Sequence, residues 1–431
     1  MDVAEYPLRL KEKIQVRILV ILPMYGGSLP LGRYCATALE SLGEQVRVFE
    51  APVFYSTFMG LKELDLTPEQ LLPLERAFLQ VVSQAIWAHV QAFEPHLVLA
   101  MAQAPLNKPL LGRLQKLGIR TCMWFVEDFR LFQYWKVFAP LYDVFAVIQK
   151  DPLLQELSAI GQKRALYLPL AADPTVHKKS HLTQAEQKEY GADVGFVGAG
   201  YPNRRLAFRP LAGKNFKIWG SDWENEPLLA QNIQRQGQRI APEECVKIYS
   251  ATTVNLNLHS SVKTDQLISL GDFVNPRTFE LAAIQAFQLV DHRSLLAELF
   301  AADEIATFTS MEEFYAQIEF YLHHPEERTQ FIARSYAKVL EKHTYVQRMQ
   351  TLLDFINDSI GFPTLKAEKT SQEDLGEYAK MIKDLLTELN AGPKADFAEV
   401  VARLRRASGQ LSELETSILF LDEFRKQYIQ E

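Results

Sequence analysis

The stretch VRILVILPMYGGSLPLGRYCATALESLGEQVRVFEAP, residues 16–52, decides which fold the chain should adopt. It begins with a continuous apolar run, which predicts a buried strand at 16–23. A glycine-bearing loop, a helical pattern from Leu31 and a second apolar strand at 45–52 follow. Strand, helix and strand in this order are the mark of a βαβ unit with parallel strands. The sequence therefore predicts an α/β fold.

The alternation of strands and helices continues, and it starts afresh after a polar segment at 177–192. Because this segment lacks strong periodicity, we interpret it as a linker or the outer edge of a domain. Two α/β domains of similar size are thus predicted, meeting near 171–192. The further predicted strands lie at 96–102, 119–128, 142–151, 164–174, 193–200, 216–220, 246–259, 287–292 and 304–309.

The last part of the chain, 365–431, has a different pattern. Apolar residues recur at helical spacing from Leu375 to Leu389 and again from Phe397 to Leu421, with AGPK between them. This predicts a helical hairpin. Two interpretations stay open: the hairpin packs on the protein's own body, or it forms a homodimer or partner interface.

Composition narrows the class of protein. Of the 431 residues, 48% are hydrophobic and 23% charged, which is typical of a globular protein. The net charge of −7 argues against nonspecific nucleic-acid binding, since no basic excess exists to neutralise phosphates. The longest apolar run near the start, 18–24, is far shorter than the roughly 20 residues of a membrane span. We expect a cytoplasmic protein without a signal peptide or transmembrane segment.

The three cysteines, Cys35, Cys122 and Cys245, are odd in number and far apart, and none lies in a CxxC motif. They are interpreted as small buried hydrophobic residues in a reducing compartment. No DxD motif at a strand end and no His/Cys ligand cluster is apparent, so no metal site is predicted.

The loop that opens the second domain, FVGAGYPNRR at 196–205, could bind phosphate. Gly198 and Gly200 let the backbone turn tightly, and a helix N-terminus follows. Arg204 and Arg205 add guanidinium groups that match phosphate oxygens. The alternative is a tight turn followed by solvated arginines, because the loop is neither GxGxxG nor a P-loop.

A second candidate anion site lies in NPRTFELAA at 275–283. Asn275 is a good N-cap and Pro276 a good first helical residue, so a helix should begin here. Glu280 flanks the apolar stripe three residues after Arg277. The pair could form a local salt bridge, or Glu280 could accept hydrogen bonds from vicinal hydroxyls at the carboxyl edge of a sheet.

With these motifs in order, the chain resembles a GT-B glycosyltransferase, and more narrowly the CgeB-like group of the glycosyltransferase 1/4 superfamily. The resemblance covers roughly residues 14–358 and excludes the tail. The matching segments are WFVEDFRLFQYW (124–135), FVGAGYPNRR (196–205), FKIWGSDW (216–223), NLNLH (255–259), NPRTFELAA (275–283) and HTYVQR (343–348).

The resemblance implies two Rossmann-like domains facing a cleft. The acceptor side would be residues 14–175 and the nucleotide-sugar donor side residues 190–345, followed by a crossover helix at 346–362 and the hairpin at 365–431. The donor would be a UDP-, GDP- or dTDP-sugar, the acceptor a protein or glycan, and no cofactor or metal would be needed. The implied donor-binding residues are Gly198, Gly200, Asn203, Arg204, Arg205, Trp219, Gly220, His259, Asp272, Asn275, Arg277 and Glu280.

Individual roles follow from the same resemblance. Glu280 would hold the ribose hydroxyls, and Trp219 with Gly220 would lie at the base pocket. The family often has E-x7-E where this chain has Asp272-x7-Glu280. Gln285 stands where a small glycine is frequent. The acceptor-side loop would present Gly26 and Gly27.

The sequence leaves two further points open. An inverting enzyme needs a base for the acceptor, and Glu127 or Asp128 could supply it; otherwise they form an N-cap or a loop salt bridge. A retaining enzyme needs no such base. His259 could touch phosphate or be a satisfied histidine at a strand end. Two functions besides sugar transfer stay open: a nucleotide-sugar epimerase or hydrolase, and a non-catalytic scaffold that binds partners.

Overall fold

The computed structural model describes residues 15–224, 226–268, 271–363, 376–392, 395–407 and 410–428. The chain divides into two compact units, Met1–Pro363 and Thr364–Glu431. The first unit carries two parallel sheets with helices on their faces. The predicted α/β class with two tandem Rossmann-like halves is therefore confirmed.

The first sheet has six strands in the order β2-β1-β3-β4-β5-β6, and every neighbouring pair is parallel. Its inner strands, which are flanked by a strand on each side, are mostly apolar and buried because helices cover both faces. The strands are β1 (Arg17–Ile21), β2 (Gln45–Phe49), β3 (Leu97–Met101), β4 (Arg120–Phe125), β5 (Val144–Val147) and β6 (Ala165–Tyr167).

Alternate residues of these strands point into two separate cores. Ile18 and Val20 of β1 pack in the core that includes the helices at 28–41 and 345–360, whereas Leu19 and Ile21 pack in the core that includes the helices at 68–93 and 108–116. The helices of this half are α1 (Ser28–Ser41), α2 (Tyr55–Lys62), α3 (Pro68–Phe93), α4 (Lys108–Lys116), α5 (Trp135–Phe138) and α6 (Leu153–Ala159). Single 3-10 turns lie at Ala51–Phe54 and Ala139–Leu141.

The second sheet has five parallel strands in the order β11-β10-β9-β7-β8. Its strands are β7 (Ala192–Val197), β8 (Phe216–Trp219), β9 (Thr252–Asn257), β10 (Gln288–Asp291) and β11 (Ala306–Phe308). The helices are α7 (Gln184–Tyr190), α8 (Pro202–Phe208), α9 (Pro242–Ala251), α10 (Pro276–Ala283), α11 (Leu296–Leu299), α12 (Met311–His323), α13 (Pro325–Lys342) and α14 (Tyr345–Ile360). Single 3-10 turns lie at Arg209–Leu211, Pro227–Leu229 and Arg235–Gly237.

One predicted strand includes part of a helix. The sequence at 246–259 was interpreted as a single strand, but its first six residues complete α9 and only Thr252–Asn257 forms β9. Pro242 at the first helical position and acidic residues in the first turn favour a helix there. Because β-branched and aromatic residues of this helix are buried, its sequence resembles that of a strand.

The chain crosses between the two halves of this unit twice, and the crossings lie side by side. Ala172, after β6, forms a parallel bridge with Thr344, just before α14. The Ala172 amide donates to the His343 carbonyl at 3.0 Å, and the Tyr345 amide donates to the Ala172 carbonyl at 3.0 Å. α14 then packs in the core that covers one face of the first sheet.

A buried histidine and arginine pair secures this crossing. Arg348 donates to the His343 Nδ1 at 2.7 Å and to the carbonyls of Pro169 and Leu170 at 2.7 and 3.2 Å. The His343 Nε2 donates to the Leu299 carbonyl at 2.9 Å. Burial, reinforced by the neighbouring Arg348 charge, lowers the pKa of His343 to about 4. The ring is therefore neutral in the folded protein near pH 7.

The unit at Thr364–Glu431 has three described helices: α15 (Gly376–Glu388), α16 (Phe397–Leu404) and α17 (Glu413–Tyr428). The predicted hairpin is wrong in one respect, because the segment expected to be its second helix is two helices. Ser412 begins α17 as a separate helix: its amide donates to the Glu415 carboxylate at 2.7 Å, and its hydroxyl accepts from the Glu415 amide at 3.3 Å. Leu385, Val400 and Leu404 form this unit's small core.

The cysteines and the apolar run near the start have ordinary structural places. Cys35 and Cys122 are buried and Cys245 is partly buried, and all three are free thiols. Burial raises the pKa of the Cys245 thiol to about 12, so it stays protonated. The run at 18–24 includes most of β1. No helix in the described part of the chain is long and apolar enough to span a membrane.

Acidification should destabilise the protein in part through His343. An unfolded histidine titrates near pH 6.5 and folded His343 near 4, so the unfolded state binds the proton first. The stability contribution is complete above pH 6.5 and is lost as the pH falls toward 4. Between pH 7 and pH 5, His343→Gln should lose less unfolding free energy than the wild type, by roughly 2 kcal/mol.

Urea unfolding at the two pH values measures this difference. As a control, the change in unfolding free energy between pH 7 and pH 8 should be the same for both proteins. An equal loss at pH 5 in wild type and variant would contradict the buried neutral state of His343.

Candidate functional site

The ends of three neighbouring strands define the candidate site. β7, β9 and β10 are adjacent and parallel, so their carboxyl ends meet at one edge of the second sheet. Ligands of open α/β sheets bind at that edge. A cavity of about 160 Å³ lies here, and it is lined by Arg204, His259, Ser260, Phe273, Asn275, Pro276, Arg277 and Glu280.

The start of α10 forms one wall of the cavity. Asn275 is its N-cap, and the Asn275 Oδ1 accepts from the Thr278 amide at 3.1 Å. The Asn275 Nδ2 donates to the Asn257 Oδ1 at 2.7 Å, at the end of β9. The predicted helix start at Asn275 and Pro276 is confirmed, and hydrogen bonds to β9 hold it in place.

His259 builds this wall, and both of its ring nitrogens are occupied. Nδ1 donates to the Asp291 carboxylate at 2.7 Å, and Nε2 accepts from the Asn275 amide at 3.0 Å. The Arg293 guanidinium lies 2.7 Å from the other Asp291 oxygen. Burial lowers the pKa of His259 to about 4. Of the two interpretations left open, the structure therefore favours a satisfied histidine at a strand end.

Arg204 and Arg277 bring two guanidinium groups to the cavity. Arg204 is buried, and it donates to the Leu258 carbonyl at 2.9 Å and the Ala199 carbonyl at 3.0 Å. Burial, followed by the charge of Arg277, lowers the pKa of Arg204 to about 9. Arg204 is thus still a cation at neutral pH, beside a second cation. An anion in the cavity would relieve this repulsion.

Arg277 is held from the side by an aromatic cluster. Its Nε donates to the Tyr249 hydroxyl at 3.1 Å, and its guanidinium lies 5.3 Å from the centre of the Phe196 ring. Gly198 is next to it, because a Cβ there would lie 3.1 Å from the Arg277 Nη2. The first loop of this half and α10 therefore meet around Arg277.

Glu280 carries the one carboxylate in the cavity lining of the described residues. Its Oε1 lies 3.8 Å from the Nε2 of His177, and its side chain is 19% exposed. Within the described ranges no hydrogen bond reaches this carboxylate, so its lone pairs are free for a ligand. Cations and a hydrogen-bond acceptor thus face the same small space.

The glycines of the first loop serve packing against the next loop. Gly198 has a φ of +152°, and its amide donates to the Trp219 carbonyl at 2.8 Å. The Gly200 amide donates to the Ser221 carbonyl at 2.9 Å. Both residues were expected among the donor-binding residues, and both backbone amides donate within the protein. What the glycines provide is room for the loops after β7 and β8 to touch.

Two other residues of the same motif are also engaged. The Asn203 side chain donates to the His259 carbonyl at 2.9 Å and accepts from the Ser261 amide at 2.9 Å. The Arg205 Nε donates to the Asp222 carbonyl at 3.1 Å. Arg204 and Arg205 are neighbours, yet only Arg204 lines the cavity. A direct role of Arg205 with the diphosphate stays a prediction.

Trp219 and Gly220 were expected at a base pocket; Trp219 ends β8, and Gly220 directly follows it. The Trp219 ring is buried and lies 5.7 Å from the Tyr190 ring. Gly220 has a φ of +118°, and a Cβ there would lie 2.7 Å from the Gly198 carbonyl oxygen. The Trp219 indole therefore faces the core, and the predicted base pocket could use only the backbone at this point.

Asp272 is bonded to the first half of the unit. Its Oδ1 accepts from the Gln149 side chain at 2.7 Å, and the Arg130 guanidinium lies 3.5 Å from the same oxygen. Gln149 also accepts from the Phe129 amide at 3.0 Å. Asp272 was expected among the donor-binding residues, but these contacts direct its carboxylate to the loops after β4 and β5.

Glu127 and Asp128, the candidate bases, have different surroundings at the end of β4. Glu127 accepts from the Tyr134 hydroxyl at 2.9 Å and from the Gln103 side-chain amide. Burial raises the pKa of Glu127. Asp128 instead accepts from the Arg130 amide at 2.9 Å and closes a turn. Of the two, Glu127 has the environment that suits a base.

Gly26 and Gly27 lie in the loop before α1. Gly26 has a φ of +112°, and its carbonyl oxygen lies 3.5 Å from the Nη2 of Arg239 in the second half. The Arg239 guanidinium also lies 5.1 Å from the centre of the Tyr25 ring. This loop thus contacts the half of the unit that carries the cavity.

Sequence reasoning missed three side chains that shape the site: His177, Tyr249 and Gln149. His177 lies in a segment interpreted as a polar linker, and Tyr249 in a segment interpreted as a strand. Gln149 follows β5 with no local pattern to distinguish it. Each acts through a partner far away in sequence, so no local signal could have identified it.

Comparisons with known proteins agree with the geometry. Residues 204–354 match the family model described as glycosyl transferase-like, a range that includes Arg204, Arg277 and Glu280. The spore protein CgeB of Bacillus subtilis (strain 168) is 25% identical over 269 residues, which cover 59% of this chain and 81% of that protein. The resemblance to CgeB and to glycosyltransferases is therefore confirmed.

Solved structures show the fold. Sucrose-phosphate synthase from Thermosynechococcus elongatus superimposes with a TM-score of 0.55 at 11% identity, covering 80% of this chain and 99% of that one. Anabaena Alr3699/HepE in complex with UDP and glucose superimposes with a TM-score of 0.53 at 12% identity, covering 80% of this chain and 100% of that one. A glycosyltransferase from Rickettsia africae ESF-5 superimposes with a TM-score of 0.54 at 10% identity, covering 80% of this chain and 99% of that one. The chain has the GT-B fold.

Inorganic pyrophosphate should bind in the cavity through Arg277. Arg277→Gln removes one of the two guanidinium charges and should weaken binding about tenfold or more. Arg334→Gln is the control, because Arg334 is an exposed arginine whose guanidinium lies 3.4 Å from the Asp303 carboxylate and does not line the cavity. Its affinity should stay within about twofold of the wild type. Isothermal titration calorimetry measures both, and equal losses in the two variants would contradict a cavity site.

Proposed function

We propose that the protein is a glycosyltransferase that moves a sugar from a nucleoside-diphosphate sugar to a protein or glycan acceptor. One observation carries the proposal: Arg204, Arg277 and Glu280 face a single cavity at the carboxyl edge of the second sheet. Guanidinium groups suit a diphosphate, and a carboxylate that accepts no hydrogen bond from the described residues suits a diol. A nucleoside diphosphate contains both groups.

The diphosphate would lie between the two arginines and the start of α10. Arg204 stays charged because its pKa of about 9 is above neutral pH. The amide end of α10 adds positive dipole character. When the bond from the sugar to the diphosphate breaks, negative charge grows on the leaving oxygen. Fixed cations at that place stabilise it without rearrangement.

The ribose would lie on Glu280, one turn further along the helix. Two vicinal hydroxyls can each donate to a carboxylate, and its lone pairs are free. Similarity supports a uridine donor, since Alr3699/HepE is described in complex with UDP and with UDP-glucose. Guanosine and thymidine diphosphate sugars are the other donors proposed.

The acceptor would enter from the first half of the unit, where Glu127 is the proposed base. Its carboxylate is oriented by Tyr134 and Gln103, and burial raises its pKa. Such a group can take the proton from an acceptor hydroxyl as the new bond to the sugar forms. This step applies to an inverting reaction. Charge stabilisation by the arginines is proposed to make a metal ion unnecessary.

A thermal-shift experiment with UDP, GDP, dTDP and CMP tests the donor site. One diphosphate should raise the melting temperature of the wild type, and Glu280→Ala should abolish most of the rise because the ribose contact is lost. Asp272→Asn should keep the rise, since that side chain faces the loops of the first half. A wild type that responds to none of the four would favour a partner-binding scaffold instead.

Turnover with the matching nucleotide sugar tests the chemistry. Glu127→Gln should lower kcat about a hundredfold or more while donor binding stays within about twofold. Because the base must be unprotonated and its pKa is raised, wild-type kcat should fall as the pH drops through a value above 4.5. In Asp128→Asn, kcat should fall with decreasing pH as it does in the wild type.

Product analysis separates the remaining alternatives. Sugar transfer to an added glycan or protein, unchanged by EDTA, supports the proposal in full. Release of free sugar to water alone would favour a hydrolase, and loss of turnover with EDTA would contradict metal independence. A kcat that is unchanged in Glu127→Gln would contradict its role as base.

A further inference from the structure

His177 is fixed in a short, internally bonded turn on the segment that joins the two halves. Its amide donates to the Asp173 carbonyl at 2.7 Å, and the Asp173 carboxylate accepts from the amide and hydroxyl of Thr175 at 2.9 and 2.7 Å. The imidazole is buried, and its edge meets the Tyr34 ring at 5.0 Å with an angle of 76°. The ring therefore has one defined orientation.

Hydrogen bonding sets the tautomer of this ring. The Asp173 amide donates to the His177 Nδ1 at 3.0 Å, so Nδ1 presents its lone pair. The hydrogen of the neutral imidazole is then on Nε2. Nε2 is the atom that lies 3.8 Å from the Glu280 Oε1. The ring hydrogen is thus on the nitrogen that lies next to the carboxylate of the cavity.

Glu280 accepts no hydrogen bond from the described residues, so a nearby donor matters for the orientation of its carboxylate. Across the described residues, His177 is the one side chain within ion-pair distance of this carboxylate. A donor on Oε1 would fix the rotation of the carboxylate and leave Oε2 free. Partners of this kind orient the groups that contact a ligand.

We infer that His177 is a positioning residue for the ribose contact: its Nε2–H holds the Glu280 carboxylate in the orientation that binds the ribose hydroxyls. The inference rests on the proposed function and adds a residue to the same site. A closing movement of about 1 Å would bring the pair to hydrogen-bond distance.

The same contact ties the ribose site to the first half of the unit. His177 packs on Tyr34 of α1, and Tyr34 in turn lies 5.3 Å from Tyr345, the first residue of α14. Burial and the nearby Glu280 charge raise the pKa of the Tyr34 hydroxyl. The helices α1 and α14, which cover the first sheet, therefore help to hold the His177 ring in place beside the proposed ribose site.

A double-mutant cycle on the full chain tests the inference. Calorimetry measures the affinity for UDP and GDP in the wild type, His177→Ala, Glu280→Ala and the double variant. His177→Ala should weaken binding of the preferred diphosphate about threefold to tenfold, and Glu280→Ala more. In the double variant the loss should equal that of Glu280→Ala alone, because His177 acts through Glu280.

Three further measurements exclude a merely structural effect. His177→Gln keeps an N–H donor at similar reach and should recover most of the affinity. His181→Ala, an exposed histidine of the same segment, should bind like the wild type. Pyrophosphate has no ribose, so its affinity should be the same in His177→Ala and the wild type.

The possible failures are distinct. Wild-type affinity in His177→Ala, or a His177→Ala loss that persists in full in the Glu280→Ala background, would overturn this inference alone. A wild type that binds neither diphosphate, or a Glu280→Ala variant that binds like the wild type, would overturn the proposed ribose site and this inference with it.

Discussion

The site depends on the hydrogen bonds that attach the start of α10 to the ends of β9 and β10. The Asn275 side chain caps the helix and donates to the Asn257 side chain. The Asn275 backbone amide donates to the His259 ring, and this ring donates to the Asp291 carboxylate. Because these groups are buried, an unmade bond would cost about 1–3 kcal/mol. The direction of α10 is thereby fixed, and Arg277 and Glu280, three residues apart, project toward the same space.

This attachment explains why a histidine and an asparagine at the site need no chemical role. His259 lines the cavity, yet its ring nitrogens serve Asp291 and Asn275. Asn203 similarly joins the carbonyl of His259 to the amide of Ser261. The polar residues near the cavity thus form two groups. His259 and Asn203 make hydrogen bonds within the protein and support the site, whereas Arg204, Arg277 and Glu280 bring charges to the cavity.

Much of the fold could be predicted from local sequence. Parallel strands buried on both faces appear as continuous apolar runs, as at 16–23, and Asn275–Pro276 marks a helix start by local chemistry alone. Prediction failed where burial hides periodicity, as in α9, or where a cap divides a long helical pattern, as at Ser412. Long-range contacts could not be predicted from local sequence at all. The Asp272 bond to Gln149 spans 123 residues, and nothing near either residue indicates it.

The paired crossings at Ala172 and Thr344 limit how the two sheet-bearing halves can move. A single connection would restrict the orientation of the two halves less than two connections that are hydrogen-bonded side by side. Because the Ala172 amide donates to the His343 carbonyl and the Tyr345 amide donates to the Ala172 carbonyl, a shift of one connection is passed directly to the other. His177 and Tyr345 lie within a few residues of this bridge along the chain, and both rings pack against Tyr34.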